Sequence, residues 1–274
     1  MAPTIFNRKF YKQENRNIYM DKELKQRIQS LASKYETKDF LPADPSSFMH
    51  KVDGAANREA TAFLASCLSY GSRKQFFPKI QFIVDAAKGE VDHWVRSGEW
   101  RSDIPDTAAC YYRLYTFHDM HCLIAAYEKM LGEWGSMKAF VAGKAREGVD
   151  SANNMSVTAI EAVAALCDFF AKNGAGKVVP KNTTSACKRV CMFLRWMVRT
   201  GSPVDLGLWA DIIDRRSLIM PLDTHVVQEA CKMGLLSSRT ASMATARRLT
   251  DAMLEVFPDD PLKGDFALFG LGVE

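Results

Sequence analysis

Apolar residues recur along this chain at spacings of three and four far more often than they alternate. That is the pattern of helices with one buried face. It predicts a charged first helix over Asp21–Tyr35, after which Pro42, Asp44 and Pro45 break the chain. A helix over Asn57–Tyr70 gathers Phe63, Leu64, Cys67 and Leu68 on one face and is stopped by Gly71. Gln75–Lys88 follows, with Pro78 admissible because it falls in the first turn. Asp119–Leu131 and Gly135–Arg146 come next, then a polar stretch around Gly148–Asn154. Beyond it the spacing predicts helices over Ser156–Asn173, Thr184–Thr200, Leu206–Ile213, Asp223–Met233 and Arg239–Phe257, with a last short one near Asp265. The expectation is an all-α protein. No strand–helix alternation, internal repeat or low-complexity tract is seen, which argues against a dinucleotide-binding or P-loop fold.

Composition narrows this only a little. Hydrophobic residues at 47% and charged residues at 25% fit an ordinary globular core, and no apolar run is long enough to span a bilayer. A membrane partner is therefore not expected. Residues 1–20 are polar, basic and aromatic, and read as a flexible arm. The net charge of +4 permits nucleic-acid binding without demanding it. Seven scattered cysteines, an odd number without close pairing, read as free buried thiols of a reducing cytoplasm. No metal-ligand spacing is present and no cofactor is expected.

Two residues carry candidate chemistry. Lys188, within Ser185-Ala186-Cys187-Lys188-Arg189, falls in the first turns of the Thr184–Thr200 helix. At about 100° per residue, Cys187, Val190, Cys191, Leu194, Met197 and Val198 fall on its apolar side, and Lys188, Arg195 and Arg199 on the other. That second side is either a plain solvated face or a ridge facing phosphate. Asp223, after Met220-Pro221-Leu222, opens the next apolar run. It is an ordinary helix cap, a catalytic carboxylate, or both, since the helix dipole and N–H bonds favour its ionised form. His225, two residues on, reads as a phosphate contact or a packed side chain, behind Asp223 in interest. Gly174-Ala175-Gly176-Lys177 lacks the Gly and the Ser or Thr of a phosphate loop. It is either the turn of a helix–hairpin–helix, with Thr184 capping the second helix and backbone N–H groups offered to a phosphate, or a plain helix–loop–helix.

At these residues the chain resembles a known superfamily. The segment Phe63–Gly71, the hairpin, Lys188, Pro221-Leu222-Asp223-Thr224-His225-Val226 and Asp265-Phe266-Ala267-Leu268-Phe269-Gly270 are similar to the helix–hairpin–helix DNA glycosylases, nearest the archaeal 8-oxoguanine branch. The Phe193–Arg199 segment, Asp205-Leu206-Gly207-Leu208-Trp209 and the C-terminal Asp265–Val273 segment resemble, more closely still, an uncharacterised bacterial family of conserved hypothetical proteins. There are departures. The Gly-x-Gly hairpin is not intact, Gly71 stands where a polar base-reading side chain is expected, and no cysteine after Cys231 supplies an iron–sulfur loop.

The resemblance implies a two-lobed helical fold. Residues 56–150 form a central lobe, 21–55 with 151–274 a hairpin-containing lobe, and a cleft lies between them. It implies a base-excision glycosylase with lyase activity, acting on duplex DNA bearing a damaged base, an oxidised purine above all. Lys188 matches the Schiff-base lysine and Asp223 the essential aspartate. Arg189, Arg195, Arg199, Thr184 and His225 are expected on DNA, and Ser69, Tyr70, Pro221 and Leu222 around the extruded base. In that mechanism Lys188, desolvated beside Arg189, supplies a neutral amine to C1′ of the sugar, while Asp223 stabilises the sugar cation. A monomer working in the cytoplasm at the nucleoid is the expected setting. Two alternatives stay open: a DNA-structure binder without chemistry on the same fold, and a helical interaction scaffold in which Lys188 and Asp223 are surface and cap residues.

Overall fold

The computed structural model describes residues 20–146 and 157–271. The arm expected over residues 1–20, apart from Met20, and the boundary stretch Gly148–Asn154 lie outside the described residues. Helices dominate: α1 (Lys22–Tyr35), α2 (Ala55–Leu68), α3 (Arg73–Ala86), α4 (Val91–Ser97), α5 (Trp100–Asp103), α6 (Phe117–Trp134), α7 (Met137–Arg146), α8 (Ala159–Lys172), α9 (Lys188–Val198), α10 (Thr224–Lys232), α11 (Met243–Leu254) and α12 (Lys263–Leu271). Short 3-10 turns at Lys38–Ala43 and Pro45–His50 follow α1. Among the described residues the only sheet is a two-stranded hairpin, β1 (Cys110–Tyr112) with β2 (Tyr115–Thr116). The all-α expectation holds.

Local chemistry fixes the helix starts. Asp21 caps α1 through the Leu24 N–H, and Thr116 with Asp119 forms a reciprocal capping box on α6. Pro78 sits inside α3, beyond its first turn. The helix predicted over Leu206–Ile213 is instead a series of turns. Its apolar spacing has another cause: Trp209 is fully buried, while the Leu206 and Trp209 N–H groups donate to the Trp196 and Met197 carbonyls and so finish α9. Helices α4 and α5 and the β-hairpin are additions to the sequence reading. The predicted Thr184–Thr200 helix starts late, at Lys188, because Cys187 before it adopts a left-handed conformation (φ 46°).

The core is one continuous cluster of buried side chains that runs through both expected lobes. α9 lies at its centre, packed on α2 and α8, with every residue from Val190 to Val198 buried. The first and last helices pack on each other, and α12 also packs on α10. Gly270 is where the Tyr35 ring lies against α12, and a side chain there would overlap it. The N-terminus of α9, the end of α2, the start of α3, the start of α10 and the end of α12 thereby meet at one place.

Candidate active site

That meeting point is a cavity of about 570 Å³. Its lining includes Lys188 and Asp223, with Asp44, Tyr70, Arg73, Phe76, Arg189, Met192, His225 and Phe269. The Lys188 Nζ lies 2.8 Å from Asp223 Oδ2. Asp223 is also the α10 cap, its Oδ1 accepting the Val226 N–H at 2.9 Å. One oxygen thus serves the helix and the other the lysine, so the cap and the cleft partner are the same residue. Burial opposes ionisation of Asp223. The Lys188 charge and hydrogen bond, the Val226 N–H and His225 together outweigh it, and the carboxyl sits below its ordinary range. Asp223 is held in place from upstream by the Met220 N–H, which donates to Thr250 Oγ1 at 2.9 Å.

Arg189, half-buried, is tied inward. Its Nη1 donates to the Cys67 carbonyl at 2.8 Å and to the Tyr115 hydroxyl. Its guanidinium also faces the Tyr70 and Tyr115 rings at 5.5 and 5.8 Å. Tyr70 and Tyr112 are locked together, each hydroxyl donating to the other's carbonyl. The β-hairpin thus exists, from the site's viewpoint, to fix the Tyr70 wall. Gly71 has φ +78°, and a side chain there would meet the Arg113 guanidinium and, at 2.9 Å, the Tyr112 hydroxyl. This accounts for a glycine where the sequence reading wanted a polar side chain.

Several predicted site residues lie elsewhere. Arg195 and Arg199 do not form a basic ridge at the surface, being 4% and 1% exposed. Arg195 Nε pairs with Asp205 at 3.3 Å and its Nη1 with Asp265. Arg199 pairs with Asp260 at 2.9 Å, with Glu36 at 2.7 Å and with Asp205. Both stack on the Phe266 ring. Burial pushes the Asp205 and Asp265 carboxyls up against the pull of the arginines. Asp205 accepts on both oxygens, one for each arginine. The C-terminal half of the helix side opposite the apolar one, at Arg195 and Arg199, meets carboxylates. Pro221 and Leu222 are buried and do not line the cavity. Thr184 does not cap α9; it is exposed, and its N–H and hydroxyl both bond Asn182 Oδ1. In the Gly174–Lys177 loop the Gly174 and Ala175 N–H groups donate to the Ala171 and Phe170 carbonyls, and just after it the Val178 and Val179 N–H groups donate to the Ala175 carbonyl. Lys177 pairs with Asp119 at 2.7 Å. Ser69 and His225 do line the cavity, but the Ser69 hydroxyl is spent on the Ala65 carbonyl.

Other features escaped the sequence reading. Asp44, Arg73, Phe76, Met192 and Phe269 share the cavity although they come from four separate segments. Only the Asp44-Pro45 pair carried a local signal, that of a chain break. Four of the seven free cysteines are buried, and Cys110 is exposed. Cys167 and Cys187 lie 4.0 Å apart, Sγ to Sγ, directly before Lys188. The Cys167 hydrogen bond lowers the Cys187 thiol despite burial. Among the described residues no group of side chains forms a metal-ligand cluster, and no helix is long and apolar enough to cross a membrane.

Neither the curated proteins nor the solved structures contain a match to this chain. One family model does match, over residues 44–274, and it spans both partners of the 2.8 Å pair and every cavity residue named above. The chain therefore belongs to the family described as Protein of unknown function (DUF2400).

Proposed function

We propose that this protein is a DNA glycosylase with associated lyase activity, acting on a damaged purine extruded from duplex DNA. The observation that carries the reading is the Lys188–Asp223 contact of 2.8 Å at the mouth of an aromatic-walled cavity. An amine and an ionised carboxylate side by side are what glycosidic cleavage through a Schiff base needs. Tyr70, Phe76 and Phe269 offer apolar and π surface to a flat ring. Arg73 adds positive charge and His225 a polar ring to the lining. The helix–hairpin–helix glycosylase fold and its archaeal 8-oxoguanine branch enter through the sequence resemblance alone.

In this mechanism the base is flipped into the cavity because the glycosidic bond is unreachable within the stack. The bond from C1′ to the base nitrogen breaks and the electron pair leaves with the base, which takes up a proton. Asp223, held anionic, stabilises the positive charge left on the sugar. Lys188 passes a proton to Asp223 across their hydrogen bond, and its freed lone pair forms the bond to C1′. Opening of the sugar ring then gives the Schiff base. Loss of a C2′ proton expels the 3′ phosphate and cuts the strand.

The test is base release from a panel of damaged duplexes, with duplex binding measured alongside. Asn is as good a helix cap as Asp, so Asp223→Asn keeps α10 in place and removes only the charge. The expected result is loss of most turnover with the fold intact. Full activity in Asp223→Asn shows the aspartate to be only a cap. Binding should weaken steeply with salt as counterions are released. No binding to any duplex at low salt overturns the nucleic-acid reading.

A further inference from the structure

One cavity residue is left unexplained by that chemistry. Asp44 is 7% exposed, lines the same cavity as Lys188 and Asp223, and forms no ion pair among the described residues. Its Oδ1 accepts the Ser46 N–H at 2.9 Å and so caps the Pro45–His50 turn. Its other oxygen has no donor among the described residues. That oxygen is not among the sealed, partnerless polar atoms of the core, and Asp44 is part of the cavity lining. A carboxylate this deep costs stability unless donors reach it. The buried carboxylates at the C-terminal end of α9, Asp205, Asp260 and Asp265, are all paired with arginines. Asp44 differs from them in lining the cavity with one oxygen that no protein donor reaches among the described residues.

We infer that Asp44 is the specificity-determining residue of the cavity, accepting the adjacent ring N–H and exocyclic amine of a guanine-type base that lies against the aromatic walls. The inference rests on the glycosylase reading. A carboxylate is acceptor-only, so it matches an edge that presents two N–H donors side by side. An adenine-type edge puts a ring-nitrogen lone pair where the first donor should be, and the two acceptors repel. A base lacking the exocyclic amine leaves the buried oxygen half satisfied, and sites built to bond a donor reject such analogues. Gly71, beside Tyr70, supplies no side chain to compete for that edge.

The test compares two duplexes that differ only at the lesion, 8-oxoguanine in one and 8-oxohypoxanthine, the same base without its exocyclic amine, in the other. Wild-type single-turnover excision should favour 8-oxoguanine by about tenfold or more. Asp44→Asn keeps the cap but turns a donor toward the base edge, and Asp44→Ser caps without a carboxylate. Both should bring the ratio close to one. Equal excision of the two lesions by wild type, or an unchanged ratio in both variants, overturns the assignment. Borohydride trapping of wild type at an abasic site reports Lys188 without any base. If that trapping fails, the glycosylase reading is wrong, and Asp44 is then decided by binding alone. Lys188→Gln protein, which needs no chemistry, should bind the 8-oxoguanine duplex more tightly than the 8-oxohypoxanthine duplex. Adding Asp44→Asn should erase that preference, and equal binding before the addition overturns the role of Asp44.

Discussion

The two ends of α9 carry basic residues to opposite fates. Lys188, Arg195 and Arg199 fall on one side of the helix, yet the Lys188 side chain is 33% exposed and that of Arg199 1%. The N-terminal end opens onto the cavity, where one amine meets one carboxylate. The C-terminal end is enclosed by the loop that follows it and by α12, and there two guanidiniums meet four carboxylates: Glu36, Asp205, Asp260 and Asp265. A basic stripe on a helix states that something must answer the charge. It does not state whether water, phosphate or distant carboxylates do so. The buried network fastens α1, the post-α9 loop and α12 to the central helix, and this positions the elements that line the cavity. One end of the helix is therefore structural and the other available for chemistry.

This contrast can be broken by substitution. Arg199→Ala strands Asp260 in the core and leaves Asp205 to Arg195 alone, and removing one partner of a buried pair costs about 3–5 kcal/mol. Urea or thermal unfolding should register that loss, and Arg195→Ala should behave alike. A change below about 1 kcal/mol, with weakened DNA binding, would restore the surface-ridge reading. Lys188→Gln should cost no more than about 1 kcal/mol, because a half-exposed pair is worth little. The smallest effect is a pH dependence. The folded-state pKa of Asp223 is depressed, so its ion pair stabilises the fold above the ordinary carboxylate range, near pH 4. That contribution fades as pH falls through the lowered folded value. The stability gap between wild type and Asp223→Asn should be flat at neutral pH and close in acid. A gap that widens toward acid contradicts the ion pair.

The sequence made the helices legible because buried faces repeat with the helical period. It also made Lys188 and Asp223 legible, each at a helix start where a short motif could be read. It hid the answer to Arg195 and Arg199, since their four partners come from three segments that only the tertiary fold brings together. It hid Asp44, Arg73 and Phe269 for the same reason. The false helix over Leu206–Ile213 arose because Leu206, Trp209 and Ile213 imitate helical spacing while their loop serves to finish α9. Pro221 and Leu222 look like pocket residues beside Asp223 but turn into the core. Neighbours in sequence were poor guides to neighbours in the cavity.

The central claim is that Lys188 becomes covalently attached to the sugar of a damaged nucleotide. Its most direct test is borohydride trapping on a lesion-bearing duplex, with the site of attachment read by peptide mass mapping. Wild type should yield a protein–DNA adduct on the peptide containing Lys188, and Lys188→Gln, still folded, should yield none. An adduct that persists in Lys188→Gln, or that maps to another residue, contradicts the account.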